Sequence, residues 1–157
     1  MSITHKDLSD ARTAWGQGKI AISKAFEEGG IEAARQVAEA HLDAIYGYNL
    51  GPVLFKPTMA SGPQTFRPTK EGALAYFCGH SEEYPRDNGF AIQGWRAMDS
   101  VTSAEYIEGD IAMWMGWVML TDKDGNVTKV DKSFGYKKDA DGTLRIVLHH
   151  SSLPNEF

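Results

Sequence analysis

The spacing of apolar residues changes along the chain, from a helical period in the first third to alternation near the end. Between Lys6 and Glu28, apolar residues recur at steps of three and four, the period of a helix with one buried face. Gly29 and Gly30 interrupt this pattern, and glycine is unfavourable inside a helix. A second, alanine-rich helix is predicted over Ile31–Tyr48. The pattern therefore predicts two helices separated by a glycine break.

The middle of the chain predicts one short strand and one short helix. The run Val53–Thr58 is strand-like, but Pro57 lacks an N–H to donate and so disfavours a central position in a sheet. A loop rich in glycine, proline and serine follows. Thr69 can then cap a helix that carries Glu71 in its acidic first turn. A surface loop is expected over residues 79–89.

From Phe90 onward the sequence predicts an antiparallel meander, because β-branched and aromatic runs are separated by turn residues. The predicted strands are Phe90–Tyr106, Ile111–Thr121, Val127–Lys138 and Leu144–Ser152. Helices followed by such strands are typical of an α+β fold with helices packed on one face of a curved sheet. We expect residues 1–157 to form a single domain, with an N-terminal helical segment 1–29 and a core over 30–154.

The strand segment Met113–Leu120 is hydrophobic at positions that would face both sides of a sheet. This pattern predicts a central strand buried between the helices and a partner subunit. A wall of a ligand cavity is an alternative, and the two interpretations are compatible.

Composition narrows the class of protein. The hydrophobic content of 42% and charged content of 24% are those of an ordinary globular protein. The formal net charge of −5, without a block of Lys and Arg, argues against a nucleic-acid surface. Cys78 is the single cysteine, which excludes an intramolecular disulfide and a cysteine-based zinc cluster. The sequence has no signal-peptide pattern and no apolar run of membrane-spanning length, so we expect a cytoplasmic protein without a membrane partner.

The last predicted strand ends in four polar residues instead of turn residues. After the apolar run Leu144–Leu148 come His149, His150, Ser151 and Ser152, and side chains alternate along a strand. His149 and Ser151 therefore share one face. One of the two pairs is predicted to point into the protein, where polar groups need partners or a ligand.

Other kinds of site have weak support. The five histidines include no pair spaced for a shared metal, and the adjacent His149 and His150 diverge, so we expect no metal. The terminal serines lack the Gly-x-Ser-x-Gly context of a nucleophile. The Asp-rich turns near Asp124 and Asp141 lack the length and the closing Glu of a calcium loop. Cys78 is expected to be a buried, unreactive thiol.

Five segments of the sequence resemble motifs of a known family: Phe55–Thr58, Ala73–Phe77, Asn88–Ile92, Phe134–Asp139 and Leu144–Pro154. With the order of the elements, they resemble the cone-shaped nuclear transport factor 2-like or SnoaL-like fold. The chain is similar to the association domain of calmodulin-dependent kinase II. Its most specific resemblance, over roughly residues 30–154, is to the iota class of carbonic anhydrases.

This resemblance implies reversible hydration of carbon dioxide to bicarbonate, without a metal or another cofactor. It implies that the hydroxyls of Thr58, Tyr76 and Ser151 bind bicarbonate, with no cation among them. From spacing alone these residues are a turn hydroxyl, a core tyrosine and a strand-end cap. His149 shares a strand face with Ser151, and imidazole ordinarily titrates near neutrality, so His149 is the candidate proton acceptor. Such cone folds usually pair through their sheets, so we expect a homodimer.

Two other functions fit the same fold, because one fold hosts many activities. The first is a non-catalytic association or small-ligand-binding module. The second is another enzyme, such as an isomerase, dehydratase or cyclase, which would need an ionised Asp–His pair. The one strand-borne acid available for that pair, Asp131, lies beside Lys132 and is expected to face solvent.

Overall fold

Helices come first and strands last, as the apolar spacing predicts. The computed structural model describes residues 2–156. The elements are α1 (His5–Ile45), β1 (Leu54–Lys56), α2 (Lys70–Cys78), β2 (Trp95–Glu108), β3 (Ile111–Asp122), β4 (Val127–Lys138) and β5 (Leu144–Ser152). The bounds of β4 and β5 are those predicted. The strand predicted from Phe90 begins only at Trp95, because Phe90–Ile92 form a single turn of 3-10 helix.

Helix α1 spans both predicted helices and is interrupted at Gly30. Its N-terminus is a capping box, in which the Thr4 hydroxyl accepts from the Asp7 N–H and the Asp7 carboxylate accepts from the Thr4 N–H. Gly30 has φ 79° and ψ −167°, a conformation that favours glycine and kinks the helix. The helix ends before the predicted Tyr48, because Tyr46 is extended and bridges to Ile146 of β5.

The sheet is mixed instead of wholly antiparallel. Its order is β1-β5-β4-β3-β2, and the last four strands pair antiparallel as predicted. Strand β1 lies at the edge, as Pro57 predicts, but it pairs parallel with β5, with Phe55 opposite His149. This pairing carries Thr58, two residues beyond β1, alongside the polar end of β5.

One hydrophobic core joins the helices to the sheet. The N-terminal helical segment contributes to the same core as the strands, through the fully buried Leu8, Trp15 and Ile22. Cys78 is buried, as predicted, and burial raises the pKa of its thiol to about 11. Within residues 2–156, the structure contains no helix that is both long and apolar enough to span a lipid bilayer.

Within the single chain, strand β3 is buried on one face only, and the exposed face is the one on which a partner subunit is predicted. Trp114 and Val118 are buried against the helices, whereas Met113 and Met115 point away from them and are 44% and 57% exposed. Val101 and Tyr106 of β2 lie opposite Trp117 and Met113 and are also exposed. The sheet therefore has an apolar outer face.

Candidate active site

The structure brings together the three hydroxyls named from the sequence. Thr58 follows the edge strand β1, Ser151 lies on β5, and their hydroxyl oxygens are 2.6 Å apart. Tyr76 projects from α2, and its hydroxyl accepts a hydrogen bond of 3.1 Å from the backbone N–H of Met59. Burial raises the pKa of Tyr76 to about 12, although its hydrogen bonds from Met59 and with the Thr58 side chain act in the opposite direction. The phenol is therefore protonated at neutral pH and can donate.

A small interior cavity adjoins this cluster, and its side chains leave no room in this structure for a water molecule. Its apolar wall consists of Trp15, Phe55, Pro57, Phe77 and Phe90, and its polar wall of Thr58, Tyr76, Lys132 and His149. A recess with aromatic sides and a few converging polar groups is typical of a site for a small ligand.

His149 and Ser151 are the inward-facing pair, which confirms the prediction from strand alternation. Their exposures are 2% and 0%, whereas His150 is exposed and the Ser152 hydroxyl donates to Asp131. Asp131 is half-buried instead of fully exposed, but it lies on the opposite face of the sheet from His149. An Asp131–His149 pair in the cavity is therefore not formed.

Both ring nitrogens of His149 have partners. Nδ1 lies 2.9 Å from the Tyr46 hydroxyl, and Nε2 lies 2.8 Å from Nζ of Lys132. The ring stacks on Phe55 with centroids 4.5 Å apart. Burial, together with the nearby amines, holds the pKa of His149 well below its ordinary value. The imidazole is consequently neutral and fixed in orientation.

Sequence reasoning missed Lys132. Its amine lies 3.1 Å from the Ser151 hydroxyl and its side chain is 3% exposed, so a buried amine lies beside the hydroxyls named from the sequence. The signal was present in the alternation of β4, because Val130, Phe134 and Tyr136 occupy the same inward register as Lys132. Lys132 is the one charged residue among the apolar residues in that register.

A second buried amine lies behind the cavity. Nζ of Lys19 is 2.7 Å from Nε2 of His41 and lies over the rings of Trp15 and Phe77, at 4.3 and 4.0 Å from their centroids. Lys132 approaches the same Trp15 ring at 4.8 Å. Burial lowers the pKa of Lys19 well below its usual value, and the charge of Lys132 lowers it further. The sequence places Trp15 on the apolar face of the first helix but does not indicate that Trp15 or Lys19 lies beside the site.

A buried ion pair holds the segments around the site. Arg67 and Asp87 are joined by two hydrogen bonds of 2.6 and 2.7 Å, and their side chains are 2% and 3% exposed. Arg67 also donates to the carbonyl of Gly72 in α2, and its backbone N–H donates to the carbonyl of Phe55 in β1. The pair therefore connects β1, the start of α2 and the loop that precedes Phe90.

The described residues, 2–156, contain no group of three or more His, Cys, Asp or Glu side chains placed to hold a metal ion. Comparisons with known proteins show which family the chain belongs to. A sequence model of the metal-independent carbonic anhydrase family matches residues 6–153. The match includes the N-terminal helical segment, so the resemblance extends well beyond the predicted residues 30–154.

Individual relatives agree with this match. A metal-independent carbonic anhydrase of Nostoc sp. (strain PCC 7120) is 47% identical over 99% of this chain and 76% of its own length. The crystal structure of an iota-carbonic anhydrase from a cyanobacterium, complexed with bicarbonate, covers 99% of this chain and 95% of its own, with 47% identity and a TM-score of 0.97.

More distant structures share only the fold. A calmodulin-dependent kinase II association domain from Xanthomonas campestris has 20% identity and a TM-score of 0.55, over 94% of this chain and 88% of its own. The predicted α+β fold of the nuclear transport factor 2-like type is therefore confirmed. Family membership rests on the closer relatives and the family match. By those comparisons, the chain belongs to the metal-independent, or iota-class, carbonic anhydrases.

Proposed function

We propose that this chain interconverts carbon dioxide and bicarbonate in the interior cavity, with Thr58, Tyr76 and Ser151 binding the anion. The observation that carries the proposal is the contact between the Thr58 and Ser151 hydroxyls at the polar end of an aromatic recess. Family membership supports the reaction, and the bicarbonate in the cyanobacterial relative supports an anion site in this fold.

The chemistry needs an apolar space for a linear gas and hydrogen-bond donors where negative charge develops on oxygen. The aromatic wall provides apolar surroundings for the gas, and its side chains must move apart to admit it, because the cavity has no room for a water molecule. Hydroxyls both donate and accept, so Thr58 and Ser151 can orient a water molecule and then bind the product oxygens. Tyr76, protonated at neutral pH, stabilises the developing anion as a donor. His149, fixed between Tyr46 and Lys132, acts as a positioning residue for the polar wall.

We expect carbon dioxide hydration by the purified protein to survive removal of metal. Stopped-flow assays of protein dialysed against a strong chelator should match untreated protein, because hydroxyls and not metal-bound water supply the polar groups. Elemental analysis of the same sample should find far less than one metal ion per chain. Loss of hydration on chelation, followed by recovery on adding zinc or manganese, would show that the metal-free mechanism is wrong.

We further propose that two copies of the chain form a homodimer through the apolar outer face of the sheet. This face consists of Val101, Tyr106, Met113 and Met115. These side chains lie on neighbouring strands and are 44–57% exposed. A contiguous apolar patch of this kind on a folded chain commonly marks an interface, and most homodimers bury the same patch on both subunits.

Replacement of Met115 by lysine is expected to shift the protein from dimer to monomer. An unpaired charge would have to lose its hydration at the centre of the interface, so dissociation should become easier by ~100-fold or more. Light scattering after size exclusion should report about twice the chain mass of 17.3 kDa for the wild type and one chain mass for Met115→Lys. Phe66→Lys is the matched control, because Phe66 is 70% exposed on a loop outside this face. A wild-type monomer would refute the pairing.

A further inference from the structure

Lys132 is a buried amine without a carboxylate in contact. Its Nζ lies 2.8 Å from His149 Nε2 and 3.1 Å from Ser151 Oγ, and the other near neighbours are aromatic rings. Among residues 2–156, no Asp or Glu oxygen forms an ion pair with it; the adjacent Asp131 accepts from Ser152 on the other face. A lysine buried in this way is expected to be charged only at considerable cost.

The direction of the hydrogen bonds indicates which form of the amine is present. Trp15 Nε1 can only donate, and it lies 3.0 Å from the Tyr46 hydroxyl oxygen, which therefore accepts. In the described structure the hydrogen of that hydroxyl has one acceptor available, Nδ1 of His149. His149 then carries its own hydrogen on Nε2 and donates it to Lys132. A nitrogen that accepts a hydrogen bond has a free electron pair, so this amine is neutral.

The opposite arrangement is less favourable. A charged Lys132 would donate to Nε2, and His149 would donate from Nδ1 to the Tyr46 oxygen. Tyr46 is 1% exposed, so its hydroxyl hydrogen would be buried without an acceptor. The neutral form satisfies every group from Trp15 to Ser151, and the charged form leaves one unsatisfied.

The surroundings of the Lys132 amine also favour its neutral form. Burial lowers the pKa of Lys132 to about 7; the charge of Asp131 opposes this change and that of Lys56 adds to it. The other titratable groups packed around it are His149 on β5, Tyr76 on α2, and Tyr46 and Lys19 near α1. None of these is a carboxylate that would hold the amine charged.

We propose that Lys132 is the catalytic proton acceptor of the hydration reaction, an inference that rests on the proposed function. A water molecule held by Thr58 and Ser151 attacks carbon dioxide, and a new O–C bond forms. One C=O electron pair moves onto oxygen to give the bicarbonate anion. The O–H bond of the water breaks, and its proton reaches Nζ through the Ser151 hydroxyl, which gives up its own proton as it receives one. The amine first turns about its Cε–Nζ bond, so that the electron pair that accepted from His149 Nε2 faces Ser151. The charged amine then donates to the Ser151 hydroxyl oxygen.

Among residues 2–156, no other group in contact with the hydroxyls suits this step. A general base works best when its pKa is close to the working pH. Both nitrogens of His149 are occupied and its pKa is well below the usual value, while Tyr76, with a pKa of about 12, is protonated. In the reverse direction the protonated Lys132 returns its proton as bicarbonate loses hydroxide.

The test compares Lys132→Met with Lys129→Met by stopped-flow hydration across pH. Lys129 lies on the same strand and over the outer ring of Trp117, so its replacement should leave the rate and the pH profile unchanged. For the wild type the hydration rate should rise with pH through a midpoint near 7, as Lys132 loses its proton. Lys132→Met should lower the rate ~100-fold or more and remove this pH-dependent rise.

A second measurement does not depend on the variant being fully stable. In wild-type protein labelled with ¹³C at the lysine Cε, the Lys132 NMR signal, assigned by its absence in Lys132→Met, should titrate near pH 7. A midpoint above pH 9, or wild-type rate and pH profile in Lys132→Met, would overturn the inference. An active wild type with an unaffected Lys132→Met contradicts only this inference, whereas an inactive wild type contradicts the proposed function and the inference with it.

Discussion

Replacing Ser151 by alanine is expected to lower the carbon dioxide hydration rate by about a hundredfold to a thousandfold, the effect of removing one donor to a developing anion. The Ser151 hydroxyl contacts both Thr58 and Lys132, at 2.6 and 3.1 Å, so it connects the water-binding hydroxyl to the amine. In the proposed mechanism, its loss removes a ligand for the bicarbonate oxygen and interrupts the path of the proton. Steady-state kcat and kcat/KM from stopped-flow traces are the measurement.

Ser152→Ala is the matched control for this change. Ser152 is the next residue of β5, its side chain points to the opposite face, and its hydroxyl donates to Asp131. We expect its replacement to leave hydration within about twofold of the wild type, since nothing in the cavity changes. Circular dichroism should show that both variants keep the fold, because each removes a single oxygen. Equal activity in the two alanine variants would refute the assignment of Ser151.

Replacing Asp87 by asparagine is expected to reduce the free energy of unfolding by about 3–5 kcal/mol. Arg67 would keep its charge in a site where its side chain is 2% exposed, and the neutral amide cannot balance it. For a chain of this length such a loss corresponds to a fall of roughly 10 °C in Tm. Urea unfolding followed by tryptophan fluorescence measures the free energy directly.

Glu39→Gln provides the comparison for that experiment. Glu39 pairs with Lys70 at 3.2 Å, but its side chain is 55% exposed, and Lys70 also contacts Asp43. Exposed pairs of this kind contribute about 0–1 kcal/mol, so its unfolding curve should nearly overlay that of the wild type. If Asp87→Asn unfolded at the same urea concentration as Glu39→Gln, the buried pair would not be what holds β1, α2 and the loop before Phe90 together.

Local signals in the sequence were sufficient for β3, β4 and β5 and for the break in the helix, but not for the start of β2. The bounds of β4 and β5 follow from alternation between the turns at Asp124–Gly125 and Asp139–Gly142. The interruption at Gly30 follows from the glycine pair. The parallel pairing of β1 with β5 could not be predicted in this way, because it depends on contact between residues about ninety positions apart.

The site was predictable only in part, for the same reason. Strand alternation places His149 and Ser151 on one face, but the convergence of Thr58 and Tyr76 on them required the family resemblance. Lys132 was overlooked because a lysine on a strand usually faces solvent. Its inward register between Val130 and Phe134 was nevertheless readable.

The neutral interior amine has a consequence for how stable this enzyme is at different pH. Between about pH 7 and 10.5, an unfolded chain holds a proton on Lys132 that the folded chain lacks. Folding therefore releases a proton in this range, and the contribution of this residue to stability grows as the solution becomes more alkaline, by up to ~5 kcal/mol across the whole range. At neutral pH the protein gives up that stability by keeping a free electron pair on a buried amine, a trade-off between robustness and the reactivity proposed for Lys132.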